Sequence, residues 1–380
     1  MTSPDETFVT SDHPLRAAAA GASPARPLPP PPVRDGRVLE LGVGARGVCA
    51  ILGDRTVRCR AGVGGPVVGR AVPPARDLVV GGDRGCVHDD EGATWCWGHA
   101  WWCGAGERLD PELPARVDSL PRNAAVALPP ERLRDSGAGL MARTEEGLVR
   151  GLWCGDEQPA ALTEFGGPVR QLSLGRSTAC ALLLDGGLRC REDLGPLQAV
   201  VGVSAPRAVA VGVGYACALG GDGGAACWPV CEYREGDGGR GTACGFWEPR
   251  GRVRRVVDRV DAGFEVDPVD ARPSPDVQAL PVAEVGELTA LAVGAGYACG
   301  VTGDRGVVCW TFPPAPRHRP RGRTRRPRLH TGTPYRVANL SDVVRVTAEG
   351  ETLCALRSDA TMWCGTPTEA GATLAQVRWE

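Results

Sequence analysis

From Val38 onward, apolar and polar positions follow one another in short runs that recur along the chain. Runs such as LELGVG, DLVVGG, RQLSLG, AVAVGVG and LAVGAG are apolar and end in glycine. Each is followed by a second short run such as CALL, an acidic turn that usually holds glycine, and a third run such as GLRC or GVVCW. Short apolar runs bounded by glycine predict strands, and two runs joined by Asp-Gly predict a hairpin. Between the units lie the proline-marked segments AVPPARD, GGPVRQ, LPVAEVGE and TPYRVANLSD, each placed to supply an outer strand. Four strands per unit is the construction of a propeller blade.

The units align on cysteine. Six segments hold two cysteines with nine residues between them. The pairs are Cys49 and Cys59, Cys86 and Cys96, Cys180 and Cys190, Cys217 and Cys227, Cys299 and Cys309, and Cys354 and Cys364. Five residues after each first cysteine stands an acid: Asp54, Glu91, Asp185, Asp222, Asp304 and Asp359. Five residues before it stands a glycine in five units (Gly44, Gly81, Gly175, Gly212, Gly294) and Glu349 in the sixth. A seventh unit, GAGLMARTEEGLVRGLWCG, aligns through Glu146 and puts Met141 and Gly151 where the cysteines belong. The two cysteines are lost together, as pairing requires. The reading is an all-β fold, a seven-bladed β-propeller over residues 36–380, with a disordered Pro/Ala-rich lead at 1–35 and loop insertions near 231–285 and 311–333. Alternation in Leu374–Trp379 predicts a final strand that completes the blade begun near Val38 and closes the ring.

Parity separates two hairpin turns, and a two-residue loop at the fifth and sixth positions would put the first cysteine opposite the residue after the second. A three-residue loop at the fourth to sixth positions after the first cysteine places the two cysteines directly opposite each other. Such a loop ends in a left-handed residue, usually glycine. Gly92, Gly147, Gly186 and Gly223 fill that place, whereas Arg55, Arg305 and Ala360 do not match it.

Segments such as VGVGYACALGGDGGAACW and VGAGYACGVTGDRGVVCW resemble the repeat of the regulator-of-chromosome-condensation family. The resemblance spans about residues 38–380 and rests on glycines after an apolar strand, Ala-Leu, Asp-Gly, and endings such as Cys96-Trp97-Gly98 and Cys227-Trp228. It implies a β-propeller. The family's tail after Trp-Gly is mostly missing, and its aromatic before Ala-Leu remains only as Tyr215 and Tyr297. The family's founder is a nucleotide-exchange factor that binds chromatin, and no motif here carries either role over. A secreted bacterial β-lactamase inhibitor with a similar propeller is a second precedent, acting by surface binding alone. Propellers host many unrelated activities, so fold alone does not assign one.

Composition adds constraints on compartment and partner. Formal net charge is −2, which provides no global pull toward nucleic acid or membrane. All 43 basic residues are arginine, as a GC-rich coding sequence would give. No apolar run approaches the roughly 20 residues that span a bilayer. Sixteen cysteines point to an oxidising, extracytoplasmic setting, whether periplasmic, surface or secreted. The N-terminus, which opens with acids and has only the short run Ala17–Ala20, is a poor signal peptide. It leaves a cytoplasmic location open.

Candidate chemistry is confined to four features. The six cysteine pairs read as structural disulfides, each worth about 2.5–3 kcal/mol by loop-closure entropy and less where the hairpin is already local; the competing reading is reduced cysteines used as small hydrophobes. Four cysteines fall outside the pattern: Cys231 and Cys244 bracket a loop that a bridge would staple, and Cys103 and Cys154 are placed to join neighbouring units. The tryptophans Trp95, Trp97, Trp101 and Trp102 cluster; strand alternation assigns Trp95 or Trp97 to packing and leaves Trp101 and Trp102 as partner-binding residues. The arginines Arg317, Arg319, Arg321, Arg323, Arg325, Arg326 and Arg328 lie in a proline-rich loop. They read as an electrostatic contact, with Arg321, Arg323, Arg325 and Arg326 at its centre, or as a solvated loop. No aromatics interleave with them, which argues against a stacking nucleic-acid site. Asp90–Trp95 fits the tail of a sialidase-type Asp box once, and no catalytic triad order, phosphate loop, metal-ligand cluster or cofactor motif accompanies it. The function this predicts is a monomeric, non-enzymatic protein-binding scaffold that uses variable loops on one face. A propeller hydrolase and a structural surface protein are the alternatives.

Overall fold

The computed structural model describes residues 36–98, 113–128, 138–153, 165–175, 178–192, 196–230, 232–234, 241–243, 276–312, 331–368 and 374–379. Among them there is no helix, and seven sheets follow the seven repeat units. Blade one consists of Val38–Gly44, Gly47–Leu52, Val57–Ala61 and Val67–Arg70, in that order from the inner to the outer strand. Blade two is Ala75–Gly81, Arg84–Asp89, Thr94–Gly98 and Ala115–Arg116. Blade three shows Ala125–Ala127, Ala138–Arg143 and Val149–Trp153. Blade four is Val169–Leu174, Thr178–Leu183, Leu188–Glu192 and Gln198–Val201. Blade five is Ala208–Val211, Tyr215–Leu219, Ala225–Pro229 and Leu280–Pro281. Blade six is Leu288–Val293, Tyr297–Thr302, Val307–Thr311 and Tyr335–Arg336. Blade seven is Val343–Glu349, Thr352–Arg357, Met362–Gly365 and Ala375–Val377. The molecule is a β-propeller.

The hairpin register matches the parity argument. Cys49 stands opposite Cys59 in blade one, Cys86 opposite Cys96 in blade two, and Cys180 opposite Cys190 in blade four. Cys217 stands opposite Cys227 in blade five, Cys299 opposite Cys309 in blade six, and Cys354 opposite Cys364 in blade seven. All six pairs are bonded, with Cα atoms 4.0–4.1 Å apart. The disulfide reading therefore holds for each of them, and the reduced-thiol reading does not. In blade three, Met141 faces Gly151 in the cysteine positions.

Each pair is buried in a core at a junction of blades. Cys49 and Cys59 pack with Ala75, Val87 and Trp97 of blade two. Cys180 and Cys190 pack with Val209, Ala218 and Trp228 of blade five, and Cys299 and Cys309 with Val343, Val346 and Leu353 of blade seven. Cys354 and Cys364 of blade seven pack with Val38, Leu41 and Leu52 of blade one, so the last junction is built like the others. Met141 takes the same place between blades three and four, beside Val169 and Ala181.

The turn at each hairpin tip is left-handed at its third residue, whatever that residue is. Gly92, Gly147, Gly186 and Gly223 have φ between 80° and 85°, and Arg55, Arg305 and Ala360 have φ between 61° and 64°. This conformation gives the tip carbonyl a second use. The carbonyls of Arg55, Gly92, Gly147, Gly223 and Arg305 accept a hydrogen bond, at 2.8–3.0 Å, from the N–H of Ala75, Asn123, Val169, Leu288 and Val343. Each donor lies at or beside the start of the next blade's inner strand. The Ala360 carbonyl accepts from Val38 at 3.0 Å and so latches blade seven to blade one.

At Gly44, Gly175 and Gly212, five residues before a first cysteine, the inner strands come too close for a side chain. A Cβ on Gly44 would lie 2.5 Å from the Gly82 carbonyl oxygen of blade two, and one on Gly212 would lie 2.4 Å from that of Gly294 in blade six.

Three expectations are corrected. Ala375–Val377 pairs with Met362–Gly365 and completes blade seven, not blade one, because blade one already owns Val67–Arg70 as its outer strand. Of the proline-marked segments, LPVAEVGE and TPYRVANLSD do supply outer strands, whereas in AVPPARD and GGPVRQ the chain turns and begins the next inner strand at Ala75 and Val169. Proline has no N–H for a ladder, which suits it to those turns. The blade-five insertion is also shorter than the sequence suggests, since residues Val277–Gln278 and Leu280–Pro281 are strand.

Candidate binding face

Among the described strands, alternation sorts the connections onto two faces. The hairpin tips and the blade-to-blade connections share one face, here the hairpin face. The loops from inner to second strand and from third to outer strand share the other.

The hairpin face is closed by short, bonded turns. Asp54 Oδ1 accepts from Thr56 N–H (3.0 Å) and Thr56 Oγ1 (2.6 Å), and Asp359 does the same with Thr361 at 3.0 and 2.6 Å. Asp185 and Asp222 accept from the N–H two residues on, at 2.8 and 3.0 Å. These are Asx turns, and they explain the acid at this place in the repeat. Where the acid is Glu, the longer side chain is replaced in this role by a residue two positions earlier. Asp89 Oδ1 accepts from Glu91 and Ala93 N–H at 3.0 and 2.8 Å, and Thr144 Oγ1 accepts from Leu148 N–H at 3.2 Å. Ion pairs stud the same face, among them Arg55–Asp90 (2.6 Å) between blades one and two, and Arg336–Asp304 (2.5 Å). Exposed pairs of this kind contribute little to stability.

The segment that fits the Asp-box tail is one of these turns. Asp90–Trp95 forms the blade-two tip, and Asp89 binds Trp95 Nε1–H at 2.9 Å through its second oxygen. Burial pushes the Asp89 carboxyl up, but its bonds to Trp95, Ala93 and Glu91 outweigh that and hold it below the usual range. Such a group is spent on the turn. Nearby His88 is buried in the wall between blades two and three, with Nε2 2.9 Å from the Ala124 carbonyl and Nδ1 3.5 Å from Asp77.

The opposite face carries the length variation. Residues 99–114 leave from the end of Gly98 and return at Ala115, between the third and outer strands of blade two. Residues 128–137 join the inner and second strands of blade three, and the chain after Trp153 leaves its third strand. Residues 230–276 depart from blade five, and 312–334 from blade six. Trp101, Trp102, Cys103, Cys154, Cys231, Cys244 and the arginines Arg317 to Arg328, including Arg321, Arg323, Arg325 and Arg326, lie outside the described residues. Their points of attachment all fall on this one face. Glu232, next to Cys231, pairs with Ala243, next to Cys244, in a two-stranded ribbon.

The feet of these insertions are fixed. Val230 N–H donates to Gly214 O at 2.9 Å, Phe312 N–H to Gly296 O at 2.8 Å, and Gly332 N–H to Thr311 O at 2.8 Å. The Phe312 ring stacks on Tyr215 of blade five, with centroids 4.2 Å apart and planes 12° from parallel. Trp97 is buried against blade one, and Trp95 is partly buried on its bond to Asp89, so both belong to the scaffold. Sequence reasoning misses the anchoring role of Phe312. Its signal is its place directly after the blade-six strand, at the start of a proline-rich loop.

At the level of sequence, no protein-family model and no curated protein matches the chain. The fold is shared widely among solved structures. Human WBSCR16 superposes with a TM-score of 0.57 at 14% identity, over 85% of this chain and 88% of that one. Prp20p from Saccharomyces cerevisiae, described with its binding to Gsp1p and histones, gives 0.51 at 13% identity over 81% and 77%. Yeast RCC1 (Prp20) in its complex with Kap60 gives 0.51 at 13% over 81% and 75%. The class defined by fold and repeat is thus the β-propeller, and the solved neighbours of this chain include propellers like the regulator of chromosome condensation. At such identities the likeness concerns the fold alone.

Proposed function

We propose that this chain is a non-enzymatic protein-binding scaffold that grips its partner on the insertion face. The observation that carries the reading is the attachment of the long insertions of blades two, five and six to one face, while among the described residues the other is closed by Asx turns, latches and ion pairs. Binding residues are favoured on loops held by a rigid frame. Trp101 and Trp102 supply apolar anchors and Arg321, Arg323, Arg325 and Arg326 supply charge. Protein partners named for the yeast neighbour support a protein partner at a coarse level. No cofactor or nucleic acid enters this reading. The six buried disulfides suit an oxidising compartment, so the proposed setting is periplasmic, surface-exposed or secreted, with the protein acting as a monomer.

The test is affinity capture from native extract with the wild-type chain and two variants. Trp101→Ala/Trp102→Ala and the quadruple Arg321, Arg323, Arg325 and Arg326→Ala should each deplete the captured partner by about tenfold or more, as expected for hot-spot residues. Melting temperatures should stay within about 2 °C of wild type, as for surface changes. Unchanged capture by both variants would overturn the assignment of this face.

A further inference from the structure

One junction of the seven is built differently from the others. At six junctions a backbone N–H at the start of a blade donates to the left-handed tip carbonyl of the blade before it. At the junction of blades four and five the corresponding residue is Pro206, which has no N–H to donate. The acceptor side is in place, for Gly186 has the usual φ of 85°.

The same junction is crossed a second time by the chain, on its outer edge. Returning from the blade-five insertion, Val277–Gln278 pairs in parallel with the outer strand of blade four, Val200 facing Val277. Ala279 N–H donates to Val201 O at 2.9 Å. The chain then pairs with blade five, Leu280 facing Cys227, and Val282 N–H donates to Ala225 O at 2.8 Å. Ala279 and Val277 pack into the core that blades four and five share, with Val200, Val209 and Trp228. No other sheet among the described residues gains a fifth strand. On the inner edge, Gln171 of blade four both donates to Val209 O and accepts from Val209 N–H at 3.1 Å, and Ser173 Oγ accepts from Val211 N–H at 3.0 Å.

We propose that Val277–Val282 is a strap that holds blades four and five together in place of the missing latch. The junction it spans is then the place where the ring opens when the strap is released. The strap is continuous with the blade-five insertion, so the longest insertion of the ring ends on the one junction that lacks the backbone latch and has instead Arg170 donating to the Pro206 and Arg207 carbonyls at 3.1 and 3.2 Å.

Native-state hydrogen exchange on the full chain tests this. The amides of Val209 and Val211 report the junction directly, because both bond to blade-four side chains. In the wild type, Ala279, Val209 and Val211 should exchange through one opening, with equal opening free energies and equal denaturant dependence. Ala279→Pro removes the bond to Val201 and should speed exchange at Val209 and Val211 by about tenfold or more, as a shift in a local opening equilibrium. The latch amides of Ala75 and Val343 should keep their rates. Pro206→Val supplies the missing N–H, and in the Ala279→Pro background it should return Val209 and Val211 to near wild-type exchange. Faster exchange confined to 277–282, or equal acceleration at every junction, would overturn the strap. If Ala279→Pro does not fold, the wild-type data still decide: Ala279 opening independently of Val209 and Val211 sinks the idea.

Discussion

Left-handed backbone at the hairpin tips belongs to the three-residue turn itself, for Gly186 adopts it without a latch to the next blade. Glycine adopts it freely, whereas an L-residue is strained there. Two positions isolate the effect. A Cβ on Gly186 would meet nothing within 4 Å, so only its φ of 85° opposes a side chain. Gly186→Ala should therefore destabilise by about 1 kcal/mol with no steric contribution. Ala360 has φ 63° and latches Val38 through its backbone alone. Ala360→Gly should stabilise by up to about 1 kcal/mol, reduced by the extra entropy glycine brings to the unfolded chain. Denaturant titration of both variants gives the comparison; changes of the same sign would show that φ is not the controlling quantity.

At the scale of the hairpin, the acidic residue holds the turn more strongly when ionised. The bonds from Thr302 and Arg336, with Gly306 N–H, hold the Asp304 carboxyl down at about 2, from 3.8. The Thr361 bonds lower Asp359 in the same direction. A carboxyl depressed in the folded state stabilises above its unfolded value and loses that contribution as pH falls through its folded value. The window for Asp304 is accordingly pH 3.8 down to about 2. Asp304→Asn keeps an acceptor for Gly306 but carries no charge. Its stability deficit at neutral pH should shrink across that window and disappear only below its acid end, as read by thermal melts; a deficit independent of pH would assign the effect to geometry instead. Hairpins are also what the sequence displays best. A period of two with a fixed cysteine spacing determines which residues face each other. It sets Cys190 against Cys180 and Cys309 against Cys299, and it places Met141 opposite Gly151 without a cysteine to guide it. Alternation says nothing about which sheet receives a strand, so by itself it sends the strand at Ala375–Val377 to the wrong blade. The common face of the insertions follows from strand count once the outer strands are located, and the proline-marked segments hide two of those. The meaning of Pro206 is not legible in the sequence, because its absent partner is the Gly186 carbonyl, whose role emerges only in the folded ring.

At the scale of the whole ring, closure is entirely non-covalent among the described residues. Each blade is made from one stretch of chain apart from the insertions, so no strand from one terminus is woven into the blade of the other. Blades seven and one are held by their shared apolar core and by the Ala360–Val38 latch, and two acids add ties from this seam to blade two. Glu40 of blade one accepts from Leu78 N–H of blade two at 2.6 Å, and Arg345 of blade seven stands 4.0 Å from it. Glu349 occupies the position that is glycine in five other blades, and it reaches past blade one, whose Gly44 has no side chain, to accept from Gly82 N–H of blade two at 2.7 Å. The departure from glycine thus ties blade seven to blade two across the closing blade. Glu349→Ala leaves the buried Gly82 N–H without this acceptor and should destabilise by about 1–3 kcal/mol. Glu349→Gln retains the oxygen and should recover much of that loss. Exchange at Gly82 and Val38 should rise together in the Ala variant if the tie serves closure. If Gly82 alone responds, Glu349 is a local cap, and the core and latch close the ring without it.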